Sequence, residues 1–321
     1  MGSEEIVKKF DVLIVGGGAA GLTAAIYTRR KELTTGIISV DIGGQNLLTE
    51  QEENYPGFTE LSGPKLMEIF FSQALKFGAD YIAGKVNKIE KLDDHFKVTL
   101  TNGEQHVAQV VILAHGKIPK SLGIPGEDKF IGRGISSCVT CDGPFMKNKS
   151  VAVIGGGNSA LEAAELLTKF AAKIYVIHRR DSFRGDEITQ KKVKEAKNVE
   201  IIYNSIPVEI KGKDKLEAIV VEDVNTKKQR ELKADGVFVE IGHILDTEFA
   251  KDFVDRNELN EIKVNKNKET KTPGIFAAGD VTDGPFKQTI TAAGDGATAA
   301  LSAYNYLMKK QGKAAIKADW S

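Results

Sequence analysis

Two glycine-rich loops of the pattern G-x-G-x-x-G/A, each preceded by a short apolar strand and followed by a helix, predict an α/β fold. We expect two Rossmann-like three-layer dinucleotide-binding domains. A further buried strand near the end of the chain resumes the first fold, so the second domain is an insertion. The predicted boundaries are 1–116 and 248–321 for the outer domain and 117–247 for the inserted one.

The first loop, Gly16-Gly-Gly-Ala-Ala-Gly21, follows a buried strand at Phe10–Val15 and opens a helix at Leu22–Arg30. In this motif the first glycine permits a tight turn, the second lets a pyrophosphate approach the backbone, and the third lets helix and strand pack closely. The helix N-terminus favours an anion. After the next strand, Gly36–Ser39, Asp41 stands about where an acidic residue would bind a ribose hydroxyl.

The rest of the first segment predicts a helix, three hairpin-like strands and a crossing into the second domain. These elements are expected at Pro64–Phe77, Lys85–Leu92, His95–Leu100, His106–Leu113 and Gly116–Pro119. The inserted domain is expected to end in a meander of strands that returns near Gly242. The meander strands are predicted at Val199–Tyr203, Ile206–Lys211, Leu216–Asp223 and Lys233–Glu240. Two crossings between domains make a natural hinge.

The only two cysteines of the chain form the motif Cys138-Val-Thr-Cys141, which Asp142 follows. A zinc site needs four ligands, and the five histidines show no ligand-like spacing. A static disulfide with so short a loop would stabilise the fold little, because that gain grows with loop length. The main interpretation is a redox-cycling dithiol, which requires a site that favours the thiolate and admits an attacking thiol.

The second glycine loop, at 155–160, follows a strand at Ser150–Ile154 and opens a helix at Asn158–Phe170. The next strand, Ile174–Ile177, ends in basic residues and not in an acid. An acid there would repel a 2′-phosphate, whereas arginines bind one in a bidentate fashion. The pattern therefore favours NADPH over NADH, with a solvated basic turn as the alternative. The basic residues are His178, Arg179, Arg180 and Arg184.

A third block near the C-terminus ends a buried strand in Gly279-Asp280, which places a carboxylate where a cofactor hydroxyl could meet it. The segment Gln288–Gly294 then opens a helix of small residues, whose N-terminus could stabilise negative charge on a reduced ring. The alternative is an ordinary buried strand and helix.

Composition excludes several classes. Lys and Arg total 44, as do Asp and Glu, so no basic excess points to nucleic acid or an anionic membrane. No long apolar run predicts a transmembrane helix. The polar, charged start at 1–9 predicts no secretory signal. The low cysteine count and the absence of a signal favour the cytoplasm.

Together, the motifs resemble those of low-molecular-weight thioredoxin reductases over essentially the full length of the chain. The matching segments are Gly16–Ala25, Gly43–Gln45, Glu53–Gly57, Cys138–Gly143, Gly155–Ala160, His178–Arg184, Ala277–Asp280 and Thr289–Gly294. The resemblance implies FAD on the outer domain, NADPH on the inserted domain, a homodimer, and NADPH-dependent reduction of the thioredoxin disulfide.

The resemblance also implies residues for each cofactor. For FAD they are Gly16, Gly18, Ala19, Ala20, Gly21, Asp41, Gly44, Gln45, Asn54, Gly116, Gly279, Asp280, Lys287, Gln288 and Thr289. For NADPH they are Gly155, Gly157, Asn158, Ser159, Ala160, His178, Arg179, Arg180, Arg184 and Gly242.

By the same resemblance, Cys141 faces the flavin and Cys138 attacks the thioredoxin disulfide. Asp142 acts as the acid/base that protonates the leaving thiolate. The inserted domain rotates about its two crossings to present nicotinamide and disulfide to the flavin in turn. The chain departs from the family pattern at His115, where Thr is frequent, and at Lys287, where Arg is usual.

Three other functions remain open at this point. The same flavin relay could serve a glutaredoxin-like or peroxidase-linked disulfide protein. A flavin dithiol oxidase would pass electrons to oxygen, but it would not need the arginines after the second loop. A redox sensor or scaffold would bind flavin without turnover.

Overall fold

The computed structural model describes residues 8–49, 52–59 and 61–314. They form two compact units, one from the described parts of 1–47, 62–117 and 245–321, the other from those of 48–61 and 118–244. The crossings at 117/118 and 244/245 lie within three residues of the predicted boundaries. The sequence did not indicate that 48–61 packs with the second unit. The first seven residues of the charged start, from which we expect no secretory signal, lie outside the described residues.

The helices and strands alternate as the glycine-loop patterns predict. The helices are α1 (Ala19–Arg30), α2 (Gly63–Lys76), α3 (Glu127–Phe130), α4 (Val139–Asp142), α5 (Asn158–Leu167), α6 (Glu187–Glu195) and α7 (Thr289–Lys310). The strands are β1 (Lys8–Val15), β2 (Thr35–Ser39), β3 (Asp80–Ala83), β4 (Val86–Lys91), β5 (Phe96–Leu100), β6 (Gln105–Leu113), β7 (Ile118–Pro119), β8 (Ile135–Ser136), β9 (Ser150–Ile154), β10 (Lys173–Ile177), β11 (Val199–Ile202), β12 (Ser205–Lys211), β13 (Ala218–Asp223), β14 (Gln229–Lys233), β15 (Gly236–Val239), β16 (His243–Ile244) and β17 (Ile275–Ala277).

The first unit is built on a sheet in the order β3-β2-β1-β6-β5-β4. The first half of β6 pairs with β5, and its last residues pair in parallel with β17. Val15 lies opposite Leu113, and Leu113 lies opposite Ala277. The carboxyl ends of β1, β6 and β17 therefore share one edge of the sheet, and the loops that follow these strands converge there.

Two helices of the first unit pack closely on each other. A Cβ at Gly296 of α7 would lie 2.1 Å from the carbonyl oxygen of Ala20 in α1, so only glycine permits this approach. Small residues on both helices thus bring the start of α7 to the first glycine loop. This packing explains why the helix predicted from Gln288 onward is rich in Ala and Gly.

The second unit has three layers around a parallel sheet in the order β11-β10-β9-β15-β8. Val151 and Val153 on one face of β9 pack with α5. Ala152 and Ile154 on the opposite face pack with the antiparallel sheet β12-β13-β14. The short strands β7 and β16 pair antiparallel with each other. A central strand apolar on both faces is what a covered parallel sheet requires.

Most predicted elements are present with small shifts at their ends, and the predicted α/β class with two dinucleotide-binding folds is confirmed. The predicted meander is wrong at two points. Its first strand, β11, pairs in parallel with β10 and so belongs to the parallel sheet. The segment Lys233–Glu240 is not continuous, because β14 ends at Lys233 in the antiparallel sheet and β15 begins at Gly236 in the parallel sheet. Within the described ranges, none of the helices combines the length and apolar character that a membrane crossing requires.

Candidate active site and cofactor loops

Cys138 and Cys141 are joined in a disulfide, with their Cα atoms 5.3 Å apart. Cys138 is the N-cap of the short helix α4, and its Sγ accepts the N–H of Cys141 at 3.2 Å. The N–H of Cys138 donates to Ser136 Oγ at 3.0 Å. Both cysteines are half-buried. The pair is thus held by local backbone bonds in a half-buried position.

The redox pair is anchored to the second glycine-loop unit. Val139, between the cysteines, is buried in the same core as Leu161 and Leu167 of α5. Gly143, directly after α4, is closely packed against Val139, because a Cβ there would lie 3.3 Å from the Val139 side chain. Asp142 ends α4, and its N–H donates to the carbonyl of Cys138 at 3.0 Å. The structure therefore brings the three predicted catalytic residues together on one turn of chain.

The first glycine loop has the backbone geometry of a phosphate cradle. Gly16 has φ of +116°, and a Cβ there would lie 2.3 Å from the carbonyl oxygen of Ala114. A Cβ at Gly21 would lie 1.9 Å from the Gly16 carbonyl oxygen. At Gly18 and Gly44 a Cβ would meet nothing closer than 3.8 Å. Two glycines are thus required by packing, and the other two leave backbone open to a ligand.

The N-terminus of α1 fits an anion. Its N-cap, Gly18, supplies no side-chain cap, and the first turn carries no acidic residue. The backbone N–H groups there are therefore available to a pyrophosphate. Nearby, the Gly17 N–H donates to Ser39 Oγ at 3.0 Å, and Asp41 Oδ1 accepts the Gly44 N–H at 2.9 Å. Both residues after β2 thus shape the cradle itself.

Residues from three distant segments meet at the edge of the first unit. Gln45 Nε2 donates to Asp280 Oδ2 at 3.3 Å. Thr289 Oγ1 at the start of α7 donates to Asn46 Oδ1 at 2.7 Å. Gln45, Asp280 and Thr289 were predicted to bind FAD, whereas Asn46 was not predicted as a site residue. The contacts show that the three predicted residues share one site.

Asp280 has an unusual environment for a carboxylate. Burial raises the pKa of Asp280, and the charges of Lys117 and Lys287 partly oppose that rise. Gly279 before it has φ of +76°, and a Cβ there would lie 2.9 Å from Ala20. In this pair, Gly279 is required by the backbone conformation and the close packing, and Asp280 supplies a buried hydrogen-bond acceptor.

Lys287 lies beside this turn, but its ammonium is held by the protein. Its Nζ is 3.1 Å from Glu261 Oε1 and also donates to the carbonyl oxygens of Asp280 and Thr282. Gln288 forms a capping box with Thr291 at the start of α7. These two predicted FAD residues therefore organise the backbone near Asp280.

Two further predicted FAD residues, Gly116 and Asn54, form none of the contacts described above. Gly116 has φ of +65°, with open space where a Cβ would be. Asn54 is exposed and belongs to the segment 48–61, which packs with the second unit. That packing is seen at Gly132, where a Cβ would lie 2.8 Å from the Leu48 carbonyl oxygen.

The second glycine loop repeats the first with different neighbours. Gly155 has φ of +150°, and Gly157 has open space where a Cβ would be. Gly157 is the uncapped N-cap of α5, so backbone N–H groups are again available to phosphate. Asn158 Oδ1 accepts the N–H of Asp186 at 2.7 Å, and Ala160 is buried. Ser159 lies exposed in the first turn of α5.

The basic residues after β10 lie beside this loop. Arg179, Arg180 and Arg184 are exposed, and none of them forms an ion pair with another described residue. The Arg184 N–H donates to the Gly156 carbonyl at 2.8 Å, which ties the arginine segment to the loop. Such guanidinium groups suit a 2′-phosphate. Gly242, the last predicted NADPH residue, has φ of +95° and accepts the Lys120 N–H at 3.0 Å.

His178 is packed against the second loop. A Cβ at Gly156 would lie 2.3 Å from His178 Nδ1, so the ring covers that glycine. Burial lowers the pKa of His178, and the charges of Arg184, Arg180 and Arg179 lower it further. A backbone hydrogen bond with Ser182 partly opposes this shift. The ring therefore acts as a packing surface for the loop.

The family model of the pyridine nucleotide-disulphide oxidoreductases matches residues 10–296. The chain belongs to this family. It is 40% identical to the thioredoxin reductase of Bacillus subtilis (strain 168) over 312 residues, which cover 96% of the chain and 98% of that protein. It is similar in structure to a thioredoxin reductase from Streptococcus pyogenes MGAS5005, with TM-score 0.90, 38% identity, and coverage of 95% and 100% of the two chains.

A second kind of relative is equally similar in sequence. One component of the alkyl hydroperoxide reductase of Staphylococcus aureus (strain NCTC 8325 / PS 47) is 41% identical over 301 residues, which cover 94% of the chain. The chain spans 59% of the length of that protein. The resemblance to low-molecular-weight thioredoxin reductases that the motifs predicted is confirmed by these matches as a whole.

Proposed function

We propose that the chain reduces the disulfide of thioredoxin with electrons from NADPH, through FAD and the Cys138–Cys141 pair. The observation that carries this proposal is the disulfide itself. It lies half-buried on the unit whose glycine loop is flanked by three exposed arginines without ion pairs to described residues. The near full-length match to thioredoxin reductases supports the same reaction.

FAD is assigned to the first unit. Thioredoxin reductases of this family are FAD- and NADPH-dependent, and the first unit fits FAD in two respects. The uncapped start of α1 faces the open backbone of Gly18 and Gly44, and the buried carboxylate of Asp280 offers an acceptor for a cofactor hydroxyl. When bound, FAD supplies the two-electron chemistry that links NADPH to the disulfide.

NADPH is assigned to the second unit. Its phosphates would lie at the uncapped start of α5, and its 2′-phosphate at Arg179 and Arg180. His178 covers Gly156 and keeps that part of the loop closed to water.

The cysteines carry the electrons to the substrate. Two electrons and two protons convert the Cys138–Cys141 disulfide to two thiols. The Cys138 thiol gives its proton to Asp142, and the resulting thiolate attacks the thioredoxin disulfide, forming a mixed disulfide and releasing one thioredoxin thiolate, which takes that proton from Asp142. Cys141 next attacks Cys138 Sγ, which restores the original disulfide and releases reduced thioredoxin. The Cys141 N–H, 3.2 Å from Cys138 Sγ, stabilises the Cys138 thiolate.

We further propose that the chain acts as a homodimer in the cytoplasm. The family resemblance supports the dimer. Scarce cysteines, confined to one redox pair, support a compartment in which thiols are kept reduced.

The test is NADPH oxidation in the presence of oxidised thioredoxin, followed by the loss of NADPH absorbance. We expect turnover with the unmodified chain and none with Cys141→Ser. The control is the same mixture without thioredoxin, which also detects electrons passed to oxygen. Rapid NADPH consumption in that control would favour the dithiol oxidase, and no consumption in either mixture would refute the enzyme.

The match to the alkyl hydroperoxide reductase component favours a second candidate, a relay that reduces a peroxidase-linked disulfide protein. The chain would then prefer that protein as its electron acceptor. Comparing kcat/KM for thioredoxin and for the disulfide form of a peroxidase-linked partner decides between them.

A further inference from the structure

We propose that two ion pairs of the first unit are positioning residues that hold the turn carrying Asp280, so that its carboxylate is presented to FAD. The pairs are Lys268–Asp295 and Glu261–Lys287. This inference rests on the proposed function, because it presupposes FAD at the first unit. It adds residues that help to retain the cofactor at that site by holding the turn in place.

The first pair holds the amide end of the turn. Asp295 Oδ1 is 2.6 Å from Lys268 Nζ, and Asp295 Oδ2 accepts the N–H of Gly279 at 3.3 Å. The two side chains are 17% and 24% exposed, so the pair is largely withdrawn from water. Because Gly279 has φ of +76° and packs on Ala20, its peptide has little freedom to seek another partner.

The second pair holds the carbonyl end of the same turn. The Lys287 ammonium donates to the carbonyl oxygens of Asp280 and Thr282 while it pairs with Glu261. The Lys287 and Glu261 side chains are 17% and 14% exposed. Glu261 Oε2 accepts Asn257 Nδ2 at 2.7 Å, so both carboxylate oxygens have partners. The lysine is thereby fixed where it meets the turn.

Stability alone does not account for this arrangement. A withdrawn ion pair loses hydration that its attraction barely offsets, so it adds little to folding. Here two such pairs contact one turn of four residues, Gly279–Thr282. One pair binds the N–H of Gly279, and the other binds the carbonyl oxygens of Asp280 and Thr282. The carboxylate of Asp280 takes no part in either pair, and Gln45 Nε2 contacts it at 3.3 Å. The pairs therefore fix the backbone and leave the Asp280 carboxylate directed to the site.

The test measures FAD release when the purified holoprotein is diluted, by the rise in fluorescence of free FAD. We expect Asp295→Ala and Lys287→Met each to raise the FAD dissociation constant at least about tenfold, as for one lost charged hydrogen bond. Lys287→Arg, which keeps the charge and the donors, should stay within about threefold. Asp295→Asn keeps an acceptor for the Gly279 N–H, so its FAD dissociation constant should lie between those of the unmodified chain and Asp295→Ala. This variant replaces Asp295→Ala in the test if the alanine variant does not fold.

Two controls separate positioning from general stability. Lys271→Ala removes an exposed ion pair with Asp255 in the same unit and should change neither FAD affinity nor melting temperature. Val98→Ala opens a cavity at a fully buried site on β5, so it should lower the melting temperature and leave FAD affinity unchanged.

The proposal is overturned if Asp295→Ala, Asp295→Asn and Lys287→Met all bind FAD as the unmodified chain does. It is also overturned if Val98→Ala raises the dissociation constant as much as they do. A failure of the proposed function looks different, because then the unmodified chain itself would bind no FAD, and no site would exist for the turn to serve.

Discussion

The two glycine loops repeat one backbone geometry in the two units. In each, a parallel strand ends in a glycine of positive φ, a second glycine leaves open space, and a helix begins without a side-chain cap. The shared geometry provides a phosphate site. It carries no information on which dinucleotide is bound, so that choice must come from the surroundings.

The surroundings differ at the end of the second strand. At the end of β2, Ser39 Oγ accepts the Gly17 N–H of the first loop, and Asp41 accepts the N–H of Gly44 in the segment that follows β2. After β10, Arg179 and Arg180 extend into solvent with no described ion-pair partner. The strand end beside the first loop therefore carries neutral and acidic groups that bond to backbone. The strand end beside the second loop carries arginines that are available to a further phosphate. The two units therefore differ at the strand end and not in the glycine motif, and we infer that the strand end selects the cofactor.

The largest predicted effect concerns the element that only the second unit has. Cys138→Ser and Cys141→Ser should each abolish thioredoxin reduction, because neither variant can form the disulfide. Hydride transfer from NADPH to flavin needs no thiol, so flavin bleaching by NADPH in a stopped-flow experiment should survive in both.

The two thiols should differ in other measurements. On the proposed roles, Cys138→Ser leaves Cys141 as the thiolate that donates to the flavin and should add a long-wavelength absorbance band. Cys141→Ser should lack that band but trap a mixed disulfide with a thioredoxin that has lost its resolving cysteine. An exchange of these behaviours would invert the assigned roles, and full turnover in either variant would refute the relay.

The next prediction exchanges the third small residue of each loop. Gly21→Ala would place a Cβ 1.9 Å from the Gly16 carbonyl oxygen, and this clash is with backbone, which cannot move aside as a flexible side chain could. We expect FAD affinity to fall about a hundredfold, equivalent to roughly 2.7 kcal/mol. The matched change Ala160→Gly in α5 removes only a methyl group, and NADPH affinity should change less than about fivefold. Equal effects at both positions would mean that the two loops do not differ in closeness of packing.

The sequence predicted these loops well because their physical requirements are local. A tight turn, a close helix and an open peptide each need glycine or alanine at a fixed spacing, and Gly16, Gly21 and Gly155 fulfil those needs in the structure. The strand Ser150–Ile154 matched its predicted bounds for a similar reason, since four of its five residues are fully or almost fully buried.

Long-range contacts could not be predicted in the same way. The ion pair of Lys268 with Asp295 and the contact of Asn46 with Thr289 join residues far apart in the chain, with no periodic pattern between them. The break between β14 and β15 was missed because both strands are short and only their different sheet partners separate them. Such features depend on tertiary pairing and leave no local signature.

The third prediction sharpens the difference between the strand ends. Replacing Arg179 and Arg180 with Ala should raise KM for NADPH about tenfold to a hundredfold, because two exposed charge-assisted contacts with the 2′-phosphate are lost. KM for NADH should barely change, since NADH lacks that phosphate. Steady-state kinetics with both coenzymes provide the measurement. A similar rise for NADPH and NADH would show that the arginines support the loop and do not read the phosphate.

Each loop also has a histidine beside it, and the two are held differently. His178 covers Gly156 within a cluster of arginines, whereas a Cβ at Gly16 would lie 2.6 Å from the His115 Cα. The His115 ring packs on Phe249 with centroids 5.1 Å apart, and both ring nitrogens are buried. Burial lowers the pKa of His115 to about 4, and Asp246 only partly opposes this.

The smallest predicted effect follows from that pKa. The unfolded chain binds a proton at His115 near the ordinary pKa of 6.5, whereas the folded chain resists protonation until about pH 4. The unfolded state therefore holds more protons in this window, so the free energy of unfolding should fall as pH decreases from 6.5 towards 4 and be fully present above 6.5. Because part of the residue is accessible, we expect a loss on the order of 1–3 kcal/mol.

Urea unfolding of the His115→Gln variant and of the unmodified chain, measured across this pH window, isolates the contribution of His115 to the free energy of unfolding. His178 and Asp280 titrate alike in both proteins, so their contributions cancel. The free energy of unfolding of the variant should depend less steeply on pH than that of the unmodified chain. If the His115→Gln curve ran parallel to the unmodified one, the imidazole would be protonated as easily in the folded state as in the unfolded state. The two loops would then differ at their strand ends but not in the burial of their histidines.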